Sequence, residues 1–160
     1  MATKRTAAIF VDVQNIYYTT REAFARNFDY NQLWDQVSSD YTIDSAYAYA
    51  IASRQEKQRQ FHHILRGIGF EVKLKPLTQR MDGSSKGDWD VGIALDIYEK
   101  ASSVDTIVLL SGDGDFDVLA ERIKQRFGVE VVVYSVHSLT AQSLIDQASR
   151  YVAIENHLLL

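Results

Sequence analysis

Cysteine is absent from the chain, which removes disulfides, thiolate metal sites and cysteine nucleophiles from consideration. Proline occurs once, as Pro76, near the end of an alternating strand-like stretch. No apolar run approaches the roughly 20 residues of a membrane span; the longest are strand-sized. Net positive charge is also lacking: 17 Lys and Arg against 21 Asp and Glu leave −4. That balance argues against a protein that coats nucleic acid by charge alone.

What remains is an ordinary soluble composition, 46% hydrophobic and 24% charged over 160 residues. That length suits one domain with a sizeable core. The N-terminus "MATKRTAAIFVDV" runs straight into a strand-like segment and does not read as a signal peptide, so a cytoplasmic location is expected. Charge is unevenly spread. Between Arg54 and Lys86 stand eight basic residues (54, 57, 59, 66, 73, 75, 80 and 86) against Glu56, Glu71 and Asp82. The rest of the chain carries 9 basic and 18 acidic residues. The basic segment is either a solvated face or a landing strip for a polyanion.

Strand and helix signals alternate along the chain. Residues 6–13, "TAAIFVDV", read as a buried strand followed by a short helical turn, and "YNQLWDQVSS" reads as a helix. "DSAYAYAIA" alternates as a strand. "SRQEKQRQFHHILRGIG" reads as a helix with Ser53 as N-cap and Gly67 or Gly69 as its stop. "FEVKLKPL" is a strand, and residues 81–88, "MDGSSKGD", form a loop by composition. From Trp89 to about Ala101 the spacing predicts a helix whose core stripe is Val91, Ala94, Leu95 and Tyr98. "DTIVLLS", "DFDVLAERIKQRFG", "VEVVVYSV", "LTAQSLIDQAS" and "YVAI" continue the alternation to the end. The expected architecture is a single α/β domain over residues 1–160, with its core at about 6–154. It is a doubly wound, mainly parallel sheet with helices on both faces. Ligands bind such sheets at the carboxyl ends of the strands, near a switch in strand order. If the first strand and "TIVLL" are neighbours, Asp12 and Asp113 meet at one edge.

The stretch "LLSGDGDFDVL" sets Asp113, Asp115 and Asp117 at every second position after a strand. One account makes Asp115 the cap of a helix starting at Phe116, with Asp117 in its first turn beside the helix dipole. Asp113 is then left without a task. Asp12 sits inside or just past an apolar strand, where a charged carboxylate is costly unless paired or metal-bound; its alternative is a turn residue. Asn15 fits a helix cap as well as a site. Asp88 reads as a cap for the helix from Trp89 or as a site acid, and Asp90 as a first-turn residue or one facing a cleft. Asp96, on the other flank of the stripe, is harder to aim at the same point.

Converging carboxylates repel, and some stay protonated without a cation. Hard oxygen ligands select Mg²⁺ or Mn²⁺ over zinc, and such ions serve phosphoryl chemistry. Other signatures fail on detail. In "DGDFDV", Val118 stands where a calcium-binding EF-hand loop needs glycine, and Lys124 where it needs glutamate. No "GxxxxGK[ST]" and no strand-linked "GxGxxG" is present. Asp12 is followed two residues later by Gln14, unlike haloacid-dehalogenase-type phosphatases. His62 and His63, adjacent on a helix, point about 100° apart and do not form a two-histidine site.

Three motifs carry a resemblance. "AIFVDVQNIYY", "KGDWDVGIALDIYE" and "VLLSGDGDFDVLAERIKQRFGVEVVVYS" resemble the NYN domain, in particular its bacterial LabA-like branch within the PIN-like nuclease superfamily. They occur in the expected order from residue 7 to about 135; residues 16 to 80 match only loosely. The resemblance implies a Rossmann-like fold and metal-dependent endoribonuclease activity with Mg²⁺ or Mn²⁺. It places catalytic and metal-binding acids at Asp12, Asp90, Asp113 and Asp115, and polar supports at Asn15 and Ser111. Lys86 and Gly87 match its loop before the helix, where Lys86 reaches a phosphate. Asp96 also matches a family aspartate.

The first expectation is therefore an endoribonuclease acting on single-stranded RNA. Asp12, Asp90 and Asp113 would ligate the metal, with Asp115 as a fourth ligand or through a water. No membrane partner is expected, and a homodimer is compatible. The alternatives are a non-catalytic regulator binding RNA or protein through the same cleft, and a phosphohydrolase of small nucleotides. Neutralising Lys73, Lys75 and Lys86 should hurt the ribonuclease far more than the phosphohydrolase.

Overall fold

The apolar run Thr6–Asp12 forms β1, and every residue of it after Thr6 is buried. In the computed structural model, which describes residues 4–76, 78–79, 85–86 and 88–160, this strand lies in the middle of the sheet. The chain continues through α1 (Val13–Phe24), α2 (Tyr30–Asp40), β2 (Thr42–Ile51), α3 (Glu56–Ile68) and β3 (Glu71–Lys75). A two-residue antiparallel pair, β4 (Thr78–Gln79) and β5 (Ser85–Lys86), follows. Next come α4 (Asp90–Lys100), β6 (Thr106–Leu110), a 3-10 turn at Gly114–Phe116 and α5 (Asp117–Phe127). The chain ends with β7 (Glu130–Ser135), α6 (Gln142–Gln147) and β8 (Arg150–Ala153).

The six longer strands lie in the order β3-β2-β1-β6-β7-β8 and all pair in parallel. Side chains alternate across a strand, so β1 feeds two cores. Ala7, Ile9 and Val11 pack with Ile16, Leu33, Val37 and Leu65 of α1 to α3. Ala8 and Phe10 pack with Ile93, Ile97, Ala120, Ile123 and Leu144 of α4 to α6. The expected single α/β domain with helices on both faces is what forms. No helix among the described residues is long and apolar enough to cross a membrane.

The sequence pattern misses local features. After β1 comes a helix of 12 residues, not a short turn. Its tyrosines and threonines are modest helix formers, and burial of Val13, Ile16 and Thr20 holds it in place. Ser53 does not cap α3: it accepts the Gln55 N–H at 3.0 Å in a local turn, and α3 begins at Glu56. It stops, as expected, at Gly69. Of the loop expected at 81–88, Ser85–Lys86 pairs with Thr78–Gln79, while residues 81–84 and Gly87 lie outside the described residues.

The larger correction concerns α4. Its expected core stripe faces outward, with Val91 75%, Leu95 61% and Tyr98 38% exposed, whereas Ile93 and Ile97 are fully buried. The helix is apolar on more than one side, so periodicity alone admits two stripes and packing against β1 and β6 decides between them. The consequence is functional. Asp90 precedes Ile93 by three positions and Ile97 by seven, so it lies on the buried stripe itself and faces the sheet edge.

Candidate metal centre

The sheet order makes β1 and β6 neighbours, with Val11 opposite Leu110. Strand order reverses there, since the chain builds outward to β3 on one side and to β8 on the other. The two strands end side by side at Asp12 and Ser111, which the sequence required for its acids to meet.

Asp12 is only 9% exposed. It is the N-cap of α1, its Oδ1 accepting the Asn15 N–H at 3.4 Å. Its Oδ2 accepts the Ser111 hydroxyl at 3.3 Å. The Ser111 Oγ in turn accepts the Asp113 N–H at 3.2 Å, so one buried hydroxyl ties both acids together. Asn15 does not cap; its Oδ1 accepts the Gly112 N–H at 3.0 Å and latches the start of α1 to the loop after β6. The turn reading of Asp12 is thus met by its contact at the start of α1. Burial pushes the Asp12 carboxyl up to about 6, against the Asn15 and Ser111 hydrogen bonds and with help from Asp113 and Asp88.

Asp113, which the capping account left idle, is itself the cap: its Oδ1 accepts the Asp115 N–H at 2.9 Å at the 3-10 turn. Asp115, a cap on one account and a site acid on the other, is exposed. Asp117 sits in the first turn of α5 and accepts the Val118 N–H at 2.6 Å. Gly112 and Gly114 are there for space. A Cβ on Gly112 would come within 2.9 Å of Thr140 Oγ1, and one on Gly114 within 2.8 Å of the Ala141 Cβ. The close approach is to the turn before α6, and the Ala141 N–H donates to the Gly112 carbonyl at 3.2 Å.

Asp90 arrives from the other side of the cleft. Asp88 Oδ1 accepts its N–H at 2.7 Å in a local turn, while the N-cap position of α4, expected at Asp88 on one reading, is Trp89. The start of α4 is held by Trp89, a residue the sequence did not single out. Its Nε1–H donates to the Ala50 carbonyl at 2.8 Å. Its ring lies over Gly92, where a Cβ would approach within 2.6 Å. Burial, then hydrogen bonding and like charge from Asp113 and Asp88, push the Asp90 carboxyl up to about 8.

Asp90, Asp113 and Asp115 each present a carboxylate oxygen within 4.8 Å of the others. Asp12 is outside this set because its carboxylate is turned to the α1 cap and Ser111. Of the four acids named from the sequence, the geometry groups Asp90, Asp113 and Asp115. Asp96 does not join. Its Oδ2 accepts from Lys73 Nζ at 2.7 Å and from the Tyr49 hydroxyl at 2.8 Å, on the far side of Tyr49.

The basic segment is not one strip. Lys73 is occupied by Asp96 and Arg59 by Glu56. Lys75 Nζ donates to the Asp88 carbonyl at 2.8 Å and lies over the Trp89 ring, at the rim of the acids. Lys86 pairs through its backbone with Thr78, and its side chain lies outside the described residues.

A six-stranded parallel sheet between helices, with a carboxylate cluster at its topological switch, is consistent with the PIN-like class of folds. The sequence profile of the NYN domain matches residues 6–155, and the chain belongs to that family. A protein of unknown function from Vibrio parahaemolyticus, known from its crystal structure, is 59% identical. It superposes with a TM-score of 0.95 over 100% of this chain and 99% of its own. Low amplitude and bright protein LabA of Synechococcus elongatus is 27% identical over 157 residues, 93% of this chain and 83% of LabA.

Proposed function

We propose that the protein is a divalent-metal-dependent endoribonuclease that hydrolyses RNA phosphodiester bonds at the cluster of Asp90, Asp113 and Asp115. The observation that carries this reading is the convergence of these three carboxylate oxygens within 4.8 Å of one another, at the switch of a parallel sheet, in a member of the nuclease-like NYN family. The donor set fits a hard cation. All its ligands are oxygens, the preference of Mg²⁺ and Mn²⁺. The raised Asp90 carboxyl marks a cluster with more negative charge than it can hold ionised by itself,.

When bound, such an ion supplies positive charge for a phosphodiester in transition and makes water a better nucleophile at neutral pH. The residues of the chain do the rest. Asp90 approaches from α4 and Asp113 and Asp115 from the turn before α5, so the ligands come from two elements fixed to the same sheet edge. Asp12, linked to Asp113 through the Ser111 hydroxyl, would join as a further ligand, directly or through a water. Ser111 and Asn15 hold the loop so that Asp113 keeps its orientation. Lys75, beside Asp88, offers a cation to a phosphate at the rim.

The test is cleavage of labelled single-stranded RNA with Mn²⁺, Mg²⁺ or EDTA, beside Asp113→Asn. Metal-dependent cutting that falls at least about 100-fold in the variant is expected, the scale on which removal of one charge-stabilising group operates. Equal activity of wild type and variant would sink the reading. Equal inertness with intact RNA binding would favour a non-catalytic binding role for the cleft.

A further inference from the structure

A second feature lies on the same edge, one strand further out. Past the carboxyl end of β2, residues Ala50 to Ser53 open into a hollow of about 760 Å³ between α1 and α3. Since β2 neighbours β1 in the sheet, the hollow begins one inter-strand step, about 4.8 Å, from the strand that ends in Asp12. The link is also electrostatic. Tyr30, which lines the hollow, has its phenol pushed up first by burial and then by the Asp12 charge.

The chemistry of the hollow is the opposite of its neighbour's. Its aromatic walls include Tyr17, Tyr18, Tyr30, Phe61 and His62. Tyr17 and Tyr18 are 48% and 64% exposed, on a helix that buries Val13 and Ile16. Their rings stand edge to face, 5.4 Å apart, which leaves ring surface open to a flat partner. The charged side chains among the described lining residues are Arg21 and Lys57; no Asp or Glu side chain lines it. Neither cation forms an ion pair among the described residues. In a chain of net charge −4, a hollow with two cationic side chains and no Asp or Glu among its described lining residues, though Leu160 also reaches it, contrasts in sign with the carboxylate cluster beside it. Gln14, Gln55 and Gln58 add amides able to meet the edge of a heterocycle,. His62 is buried at the wall and biased towards its neutral form by that burial and by Arg66.

Flat rings beside unpaired cations and neutral amides are what an unstacked nucleobase and its phosphate require. We infer that this hollow is a substrate subsite that takes one unpaired base of a single-stranded RNA, stacked on the ring of Tyr17 or Tyr18, whose planes stand 77° apart, with the flanking phosphate held by Arg21 or Lys57. The inference rests on the RNA reading of the carboxylate site and adds to it. The strand crosses the sheet edge from the hollow to the acids, so the base seated here is close to the phosphodiester to be cut. A base inside a duplex is already stacked and paired and cannot enter.

The test is fluorescence anisotropy of the full chain with a labelled single-stranded RNA of about ten nucleotides, in EDTA so that nothing is cut. The double variant Tyr17→Ala, Tyr18→Ala should bind at least about ten-fold more weakly, the scale of losing a base–aromatic stack. Tyr17→Phe, Tyr18→Phe should bind like wild type, and the same strand annealed to its complement should respond by less than about two-fold. Both tyrosines are exposed, and circular dichroism checks that the variants fold. The inference falls if the alanine variant binds the single strand as wild type does, if the duplex loses as much affinity, or if wild type binds no single strand. Its fate is separable from that of the ribonuclease reading. Loss of binding in the alanine variant of a protein that cuts nothing would keep the subsite and remove the catalysis. Unchanged binding in a protein that cuts would do the reverse.

Discussion

Along one edge of the sheet, β1 and β6 end in acids while β2 ends in a hollow lined by aromatic, amide and cationic side chains. The carboxylate side is cross-tied: Asp12 to Ser111, Ser111 to Asp113, Asn15 to Gly112, Asp113 to Asp115. The other side has exposed tyrosines and cations with no ion-pair partner among the described residues. Groups that must hold a charge in place are built rigid and partly unhydrated. Groups that, on the proposed reading, would accommodate a flat, variable partner are left open. The difference separates orientation of a reacting centre from tolerance of what is brought to it.

The sharpest way to break that contrast is Asp90→Asn. Metal-dependent cleavage should fall at least about 100-fold while single-stranded RNA binding in EDTA stays at the wild-type level, since Asp90 does not line the hollow. The same variant has a signature without metal. Asp12 and Asp90 sit at about 6 and about 8 in the folded chain against 3.8 when free. The unfolded chain therefore releases those protons first, and stability of the metal-free protein should fall as pH rises from about 4 to about 8, then level off. Below that window both states are protonated and the term vanishes. In melting curves, Asp90→Asn should flatten the upper part of that decline, and added Mn²⁺ should reverse it in wild type. A wild-type profile without the decline would show that the acids are not strained as they stand.

A smaller effect is expected at Ser111→Ala. The buried hydroxyl bonds Asp12 and Asp113 at once, so its loss should cost about 1–3 kcal/mol in denaturant melts. Cleavage should fall about ten-fold, as for a residue that orients ligands without being one. An activity loss with no stability loss would contradict the positioning role.

The smallest effect is expected at Asp96→Asn. That side chain is engaged by Lys73 and Tyr49, away from the cluster, so cleavage should change by less than about two-fold. Stability should drop by under about 1 kcal/mol, since both partners of the ion pair are partly exposed,. A large loss of cleavage would place Asp96 back among the working acids.

Much of the carboxylate side was legible in the sequence because its signals are local. An aspartate inside an apolar strand, a glycine-flanked acid after another, and a parallel topology were enough to bring Asp12 and Asp113 to one edge. Roles within the cluster were less legible. Whether Asp113 or Asp115 caps the turn depends on one backbone N–H, and the side-chain spacing is the same either way. On α4, Val91 and Leu95 fit an apolar stripe as well as Ile93 and Ile97 do, and the choice came from the sheet. Trp89 gave no signal, because its partner is a carbonyl 39 positions away. The hollow was illegible for a related reason. Its walls come from residues 13–30 and 50–62 and from Leu160; Tyr17 and Tyr18 close the motif "AIFVDVQNIYY", but nothing in that motif shows that they face a hollow formed only once α1 and α3 stand across from one another. Tyr17 and Tyr18 lay in a stretch read as a short turn, which hid the helix that displays them.

The Ala50 carbonyl receives the Trp89 indole N–H, and Ala50 also lines the hollow. A single span of main chain is thus both the wall against which a guest would press and the mooring of the helix that carries Asp90. The two regions differ in chemistry yet share a beam: a displacement of that span would act on both, on the hollow directly and on the helix of Asp90 through the Trp89 bond.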